Sequence, residues 1–414
     1  MSGVKPFTIP KDAVVKAWEK VKKNAGGHGV DQQSIEDFEK NLKDNLYKVW
    51  NRLSSGSYFP PPVRGVEIPK SDGKFRMLGI PTVSDRIAQT IVRDRLEEKV
   101  EPIFHADSYA YRPRKSALDA VETVKQRSWK YNWVLEFDIK GAFDNINHDL
   151  MMRAVRFHTD CHWTILYVER WLKAPIQHKN GEIEQRINGT PQGGVVSPLI
   201  FNLYFHYAFD LWMTRKFPNI PFVRYADDGL LHCVTKSQAE MVKRALSERM
   251  KECGCELHPE KTKVVYCRDG NRKATADVTQ FDFLGFNFRG RLAKSGTGVY
   301  FNSFNAAISK KSKKRILGVV REWNLARWTD GTLKEIGSKV NAVISGWWNY
   351  YGKNYESVFK QTISHINRIL VKWATRKYKR FKGSRRKASE WLSAVAKQNP
   401  SLLFHWRIGV LQFG

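Results

Sequence analysis

Two stretches of the chain carry side chains whose types and spacing could do chemistry. In Phe222-Val-Arg-Tyr-Ala-Asp-Asp-Gly-Leu-Leu-His-Cys-Val234, apolar residues flank a tight Asp227-Asp228-Gly229 turn, the pattern of a β-hairpin with adjacent carboxylates at its tip. Two bare carboxylates there repel one another, and a turn that served folding alone would more commonly be Asn-Gly or a single Asp-Gly. A divalent cation resolves the repulsion. In Trp133-Val-Leu-Glu-Phe-Asp-Ile139, a strand of buried character ends in Asp138, a charge that needs a partner where it lies. Three carboxylates on two separated strands suit in-line attack of a hydroxyl on a nucleoside triphosphate, where two Mg²⁺ ions about 3.5–4 Å apart stabilise the attacking and leaving oxygens together. Mg²⁺ keeps waters and binds phosphates, so few protein carboxylates suffice. On this reading Asp138 and Asp227 hold the metals and Asp228 supports them.

A lone Asp-Asp-Gly turn is most often a solvated loop, and a third segment is what makes a set. Asn188-Gly-Thr-Pro-Gln-Gly-Gly-Val-Val-Ser-Pro198 is an irregular glycine-rich loop whose backbone can approach a ligand closely. Ser197 and Pro198 then give the N-cap and first turn of a helix running through Leu211.

The elements that must position these residues are mixed. A helical pattern ends at Gly26-Gly27, and a second runs from Ser34 with Ile35, Phe38, Leu42, Leu46, Val49 and Leu53 on one stripe until Gly56. Phe59-Pro-Pro-Pro breaks helix, Arg64 to Pro69 alternates as a strand, and Ser71-Asp72-Gly73-Lys74 reads as a hairpin turn into Phe75 to Ile80. Ser84 caps a helix carrying Ile87, Ile91, Leu96 and Val100, and Ser116 caps another toward Lys130. From about 305 the apolar spacing turns helical, with Trp347, Tyr350, Tyr351, Val358, Ile363, Ile366, Leu370 and Trp373. Ser384-Arg-Arg-Lys387 reads as an exposed linker.

At 414 residues the chain has room for two or more domains, and 42% hydrophobic with 13% aromatic residues is too rich in core formers for a disordered basic tail. Its net charge of +29 calls for a polyanionic partner. Residues 305–414 hold 23 Lys and Arg against 5 Asp and Glu, which is +18 of that excess. So few acidic partners argue for a face that tracks phosphates rather than a merely solvated one. The longest mostly apolar stretch, Val195 to Tyr207, is broken by Ser197, Pro198, Asn202 and His206, far from the roughly 20 apolar residues of a spanning helix. No membrane association is expected. The start shows no signal-peptide core, and Cys161, Cys233, Cys253, Cys255 and Cys267 form no C-x-x-C pair, which fits free thiols in a reducing cytoplasm.

Taken together, the three segments resemble the reverse transcriptases, with Tyr225-Ala-Asp-Asp228 as their Y-x-D-D box, Phe137-Asp138 as the first metal-binding block and Pro191-Gln192-Gly193 as the block beneath the templating base pair. Within that superfamily the chain is similar to the group II intron-encoded reverse transcriptase/maturases. Further matches run in order: Gly29-Val-Asp31, Ile68 to Arg76 through Leu78-Gly-Ile-Pro81, Tyr111-Arg-Pro113, His258-Pro-Glu-Lys-Thr262, Phe283-Leu-Gly-Phe286, then Gly346-Trp347 and Trp348-Asn-Tyr-Tyr351.

The resemblance implies an α+β right-hand polymerase followed by an all-helical thumb. N-terminal extension helices occupy 1–60, fingers and palm 61–304, a helical thumb or maturase domain 305–375, and a short basic DNA-binding-like segment 376–414 that could equally extend the RNA-binding surface. It implies Mg²⁺ on Asp138, Asp227 and the Ile139 carbonyl, with Lys70 and Arg76 over the incoming triphosphate. Phe143 stands as an aromatic gate against a 2′-hydroxyl, Gln192 touches the nucleotide, and Lys261, or equally Lys263, supports the triphosphate. Arg112, Arg114, Lys313, Lys314, Arg315, Arg376, Lys377 and Arg380 are the cations expected on nucleic acid. With no cysteine after Cys267, the zinc-supported nuclease of longer relatives is expected to be absent. The function so implied is RNA-directed DNA synthesis from dNTPs on a DNA primer, together with binding of a group II intron RNA for splicing and mobility. A related enzyme of host defence or DNA repair, and a splicing cofactor with a relic site, are the alternatives; Phe143 disfavours an RNA polymerase.

Overall fold

A computed structural model describes residues 5–69, 73 and 75–413, in two compact units. The first comprises Met1–Ser116, Leu135–Leu231 and Lys236–Lys263. Its opening helix, Lys11–Asn24, buries Val14, Ala17, Trp18 and Val21. The helix starts at Ser34 as expected, where Ser34 closes a capping box with Asp37, but the stripe that follows is two helices, Ile35–Lys40 and Leu42–Ser55, because Asn41 leaves helical geometry. Gly56 ends the second in a left-handed C-cap.

Strands Val63–Pro69 and Phe75–Ile80 pair antiparallel from Arg64↔Ile80 to Pro69↔Phe75, and Val63–Pro69 also pairs parallel with Ile176–Gln177. Of the predicted turn between them, Ser71, Asp72 and Lys74 lie outside the described residues, as does Lys70. The next helix, Val83–Val100, is almost wholly buried over its first ten residues, and its N-cap is Thr82 rather than Ser84. Asp85 on it is fully buried and accepts from Tyr58 Oη (2.9 Å), Trp171 Nε1 (2.8 Å) and Gln89 Nε2 (2.8 Å).

The aspartates sit on a four-stranded sheet ordered Phe222–Tyr225, Asp228–Cys233, Trp133–Asp138, Lys263–Tyr266. The predicted helix after the glycine-rich loop starts at Ser197 with Pro198 in its first turn, and it continues past Leu211 to Lys216 through a π-helical turn, His206–Asp210.

The second unit comprises Ala117–Val134, His232–Thr235 and Val264–Gly414. Phe281–Phe283, Phe286–Lys294 and Tyr300–Ile308 form a three-stranded antiparallel sheet, so the helical region begins at Lys310, a few residues after the predicted 305. Helices Lys310–Glu322, Leu333–Trp347, Glu356–Ile363, His365–Lys377 and Arg385–Gln398 follow. Ser384-Arg-Arg-Lys387 is not a linker: Ser384 caps Arg385–Gln398, which buries Ala388, Leu392 and Ala396. The last residues of 376–414 are tied to the helices before them. Asn341 donates to Leu402 O and accepts from Phe404 N, while Asn367 donates to the carbonyls of Val410 and Gln412. All five cysteines are free, four of them buried, and no helix among the described residues is long and apolar enough to cross a membrane.

Two fully buried histidines of this unit give it an acid limit. His405 donates from Nε2 to Asn367 Oδ1 (2.7 Å), and burial pushes its ring, like that of His232, down to about 3. The unfolded chain takes up these protons near pH 6.5 and the folded one only near 3, so stability falls as pH drops through that window. At pH 5 the loss is about 2 kcal/mol per histidine. Denaturant midpoints should therefore be lower at pH 5 than at pH 7, and His405→Gln, which keeps a donor for Asn367, should show about half that sensitivity.

Candidate active site

Strands Phe222–Tyr225 and Asp228–Cys233 pair with Tyr225 opposite Asp228, so the hairpin loop is Ala226-Asp227, one residue earlier than the predicted Asp227-Asp228-Gly229 turn. Ala226 takes the positive φ of 57° that such a loop demands. Gly229 lies within the strand for a packing reason: a Cβ there would stand 2.1 Å from the Phe137 ring. The loop is pinned from below. Arg224, 0% exposed, donates to both oxygens of the equally buried Asp210 (2.7 Å each), to Ser108 Oγ (2.8 Å) and to the carbonyl of Ala226 (3.2 Å). Asp210 closes the π-helical turn, which sets its carboxylate toward Arg224.

Asp138 ends its strand beside this loop. Its carbonyl accepts from His258 N (2.8 Å) and Lys140 N donates to Glu256 O (2.8 Å), while the intervening Ile139 carbonyl accepts no hydrogen bond among the described residues. Lys261 Nζ reaches Asp138 Oδ2 at 2.6 Å. Burial, then the charges of Asp227 and Asp138, push Asp228 up to about 7, although one side of the residue is open to solvent. Asp227 is raised chiefly by burial, with the Asp138 charge adding to it. No three His, Cys, Asp or Glu side chains among the described residues form a metal cage by themselves. A site that shares its ions with substrate phosphates needs none. Carboxylates that repel one another, with an unbonded carbonyl next to Asp138 in the chain, are the oxygen donors such an ion fits.

Opposite these acids the glycine-rich loop carries Gln192. Arg76 Nε donates to Gln192 Oε1, and Gln192 Nε2 donates to Asp144 Oδ2 at 3.4 Å. Gly193 adopts φ +113° where a Cβ would meet the Gly79 carbonyl at 2.6 Å. Gln89 Oε1 holds the far side of the loop by accepting from the amides of Val195 (2.7 Å) and Val196 (3.2 Å). Phe143 is buried, stacked on Phe201 at 4.1 Å between centroids and met edge-on by Tyr111 at 6.5 Å.

The structure thus brings Asp138, Ile139, Asp227, Asp228, Arg76, Phe143, Gln192 and Lys261 into one unit, and Lys70 lies outside the described residues. Arg112 is placed differently from expectation: its guanidinium is bonded to Glu101 and to the carbonyls of His105 and Ser108, leaving it little for nucleic acid. Arg114 is exposed. In the second unit Lys314 is exposed, Lys313 is half-buried, and Arg315 donates to Tyr351 Oη. Arg376 and Lys377 donate to the carbonyls of Ala326 and Thr329, and Arg380 stacks over Phe381. Sequence reasoning missed Tyr111 and Asp144. Burial raises the Tyr111 phenol and the Asp227 charge adds to it, and its place in the Tyr111-Arg-Pro113 block was the available signal.

Residues 68–288 match the family described as reverse transcriptase (RNA-dependent DNA polymerase), and residues 313–391 match the group II intron maturase-specific domain. The group II intron-encoded protein LtrA of Lactococcus lactis subsp. cremoris is 32% identical over 203 residues, 48% of this chain and 33% of that protein. Protein YkfC of Escherichia coli K12 is 32% identical over 288 residues, 60% of the chain and 74% of YkfC. A putative COX1/OXI3 intron 1 protein of Saccharomyces cerevisiae is 26% identical over 294 residues, 58% of the chain and 34% of that protein. The aligned part thus spans only about a third of LtrA.

The buried pair under the loop yields a test. Asp210→Ala leaves the Arg224 charge buried and unpaired, and should cost about 3–5 kcal/mol in urea unfolding. Replacing both, as Arg224→Met with Asp210→Leu, should recover most of that stability while loosening the Asp227 loop, visible as weaker activity in a folded protein.

Proposed function

The chain belongs to the reverse transcriptase family and carries a group II intron maturase-specific domain, and from that premise we propose that it is an RNA-directed DNA polymerase. It extends a DNA primer with dNTPs, and it binds a group II intron RNA to assist splicing and mobility by target-primed reverse transcription. The observation that carries the polymerase reading is the meeting of Asp138, Asp227 and Asp228, with the unbonded Ile139 carbonyl next to Asp138 in the chain. Nothing in folding asks for three repelling carboxylates.

Asp138, Asp227 and the Ile139 carbonyl would hold Mg²⁺, which when bound supplies charge stabilisation to both oxygens of the phosphoryl transfer. The rest falls to the chain's own groups. Lys261 and Arg76 bring positive charge to a triphosphate, and Lys261 holds Asp138 in place through its 2.6 Å contact. The Arg76–Gln192–Asp144 line orients the side chain beneath the nascent base pair. Phe143, clamped between Phe201 and Tyr111, cannot swing away from a sugar, so a 2′-hydroxyl meets a fixed ring. The +18 of residues 305–414, together with the maturase-domain match over 313–391, supports the RNA-binding half of the reading.

Asp227→Ala should lower Mg²⁺-dependent primer extension on an RNA template by at least about 10²–10³-fold, with RNA affinity within a few fold of wild type by filter binding. Extension retained in that variant would sink the polymerase assignment. Phe143→Ala should raise the ratio of rNTP to dNTP incorporation by about 10-fold or more, corresponding to about 1–3 kcal/mol of lost discrimination. An unchanged ratio in single-nucleotide incorporation assays would remove Phe143 from the sugar site.

A further inference from the structure

The longest hairpin of the second unit, Phe286–Lys294 with Tyr300–Ile308, has two unlike faces. Cross-strand partners share a face, and at the base Phe286, Phe288, Phe304, Ala306 and Ile308 form the buried one. The opposite face carries Arg289 and Arg291, and farther out Phe301, which pairs with Ala293. Toward the tip the apolar side chains lose their cover: Leu292 is 62% exposed, Tyr300 63% and Phe301 47%.

The cations on this face are held close together, and the acidic charge that Arg291 feels is that of Asp282, which Asn287 binds through its amide without an ion pair to either arginine. Arg291 donates to Asn305 O (3.2 Å), Asn287 O (3.1 Å) and Asn287 Oδ1 (3.0 Å), with its guanidinium 5.5 Å from the Tyr355 ring centre. Burial and the charge of Arg289 push it down to about 10. Lys313, on helix Lys310–Glu322, is lowered by burial and then by the charges of Arg291 and Arg289. Arg289 is exposed, and among the described residues none of the three has a carboxylate in ion-pair contact. Two arginines and a lysine that repel one another, fixed in part by carbonyl hydrogen bonds, are arranged for an external anion. Regularly spaced phosphates supply that anion. An exposed ring on the same face asks for more than phosphates: it offers a stacking platform, which only an unpaired base can use. A continuous duplex presents phosphates but hides its base faces.

We propose that this hairpin face binds an unpaired loop of structured RNA, with Arg289, Arg291 and Lys313 on the phosphates and Phe301 against a base. The proposal deepens the RNA-binding half of the function given above and rests on it. Binding here is separate from nucleotide addition, so the two can fail independently.

The test uses the full chain and two fluorescein-labelled RNAs, a stem closed by an unpaired loop and the same stem as a blunt duplex. Arg289→Gln with Phe301→Ser should weaken stem-loop binding by about 10-fold in anisotropy titrations, since stacking on one ring contributes that order of affinity. It should reduce the slope of log K against log salt by about 0.7–0.9 for the one cation removed. Blunt-duplex affinity should change less, and extension of a saturating primer on a short template should stay within twofold. Phe301→Trp should restore stem-loop binding toward wild type. Should the double variant fold poorly, Arg289→Glu alone, at an exposed position, carries the charge part of the test. Unchanged stem-loop affinity, or an equal loss on the blunt duplex, overturns the proposal. A wild-type chain that binds the stem-loop through these residues yet extends no primer overturns the polymerase reading and leaves this site supported.

Discussion

Mutual repulsion of three carboxylates is the constraint around which the first unit is organised. Burial, with the charges of Asp227 and Asp138 added to it, pushes Asp228 up to about 7, and a chain free to relax would let the three carboxylates part. They stay because each is fixed by backbone that has no freedom to move. Asp138 is held by the His258 amide on its own carbonyl and by Lys261 on its carboxylate. Asp227 sits in a two-residue loop whose Ala226 accepts an unfavourable positive φ, and Arg224 reaches up from the core to bind the Ala226 carbonyl. Such local strain persists only where the surroundings over-determine it. The fully buried Arg224–Asp210 pair supplies that determination, and its bidentate geometry fixes direction as well as distance.

The same rule, that a buried polar group must find its partner and thereby fixes position, sets the wall facing the acids. Asp85 lies in the first turn of a helix whose N-terminal half is almost wholly buried, where a carboxylate would be intolerable alone. Burial raises it, and donors from Tyr58, Trp171 and Gln89 offset the cost. Because Gln89 Nε2 is committed to Asp85, its Oε1 can face only one way, toward the amides of Val195 and Val196. The glycine-rich loop is therefore oriented from the core outward: carboxylate, amide side chain, loop backbone, and at the loop's other end Gln192 on Arg76. The buried members, Arg224 and Asp210 on one side and Asp85 and Gln89 on the other, lie away from the substrate, yet each set decides where a substrate-facing group points.

How much of this a sequence discloses follows from the range of the interaction. Local chemistry was legible: the helix start at Ser34, the stop at Gly56, the strand ending at Asp138 and the paired aspartates of the hairpin are all readable from neighbours in sequence. Where the reading slipped, a distant partner had decided. Gly229 looks like a turn glycine but is required by the Phe137 ring, far away in sequence, and so the loop falls one residue earlier. Arg112 reads as a surface cation until Glu101 and two carbonyls enclose it. Ser384-Arg-Arg-Lys387 has the composition of a linker, while the alanines and leucine after it bury a helix face. The Arg224–Asp210 pair joins residues only 14 apart, but a π-helical turn with no simple sequence signature sets its geometry.

The helical region poses the opposite electrostatic problem. With 23 cations against 5 acids over residues 305–414, folding brings like charges together and ion pairs cannot be what holds the fold. The cohesion is apolar and short-ranged instead: Trp373 and Trp406 are fully buried, with Ile336, Val340, Ile344, Phe359, Ile363, Leu370 and Leu392 around the same helices. Polar fixing comes from uncharged groups, above all Asn341 and Asn367, which tie the last residues to the helices without adding charge. A core built this way tolerates cations on its surface because it does not depend on neutralising them. Salt then acts on the two roles with opposite sign. Screening relieves repulsion within the folded protein and weakens its hold on a polyanion. A protein whose cations were paired internally would lose both dependences, and with them the surface that a nucleic acid needs.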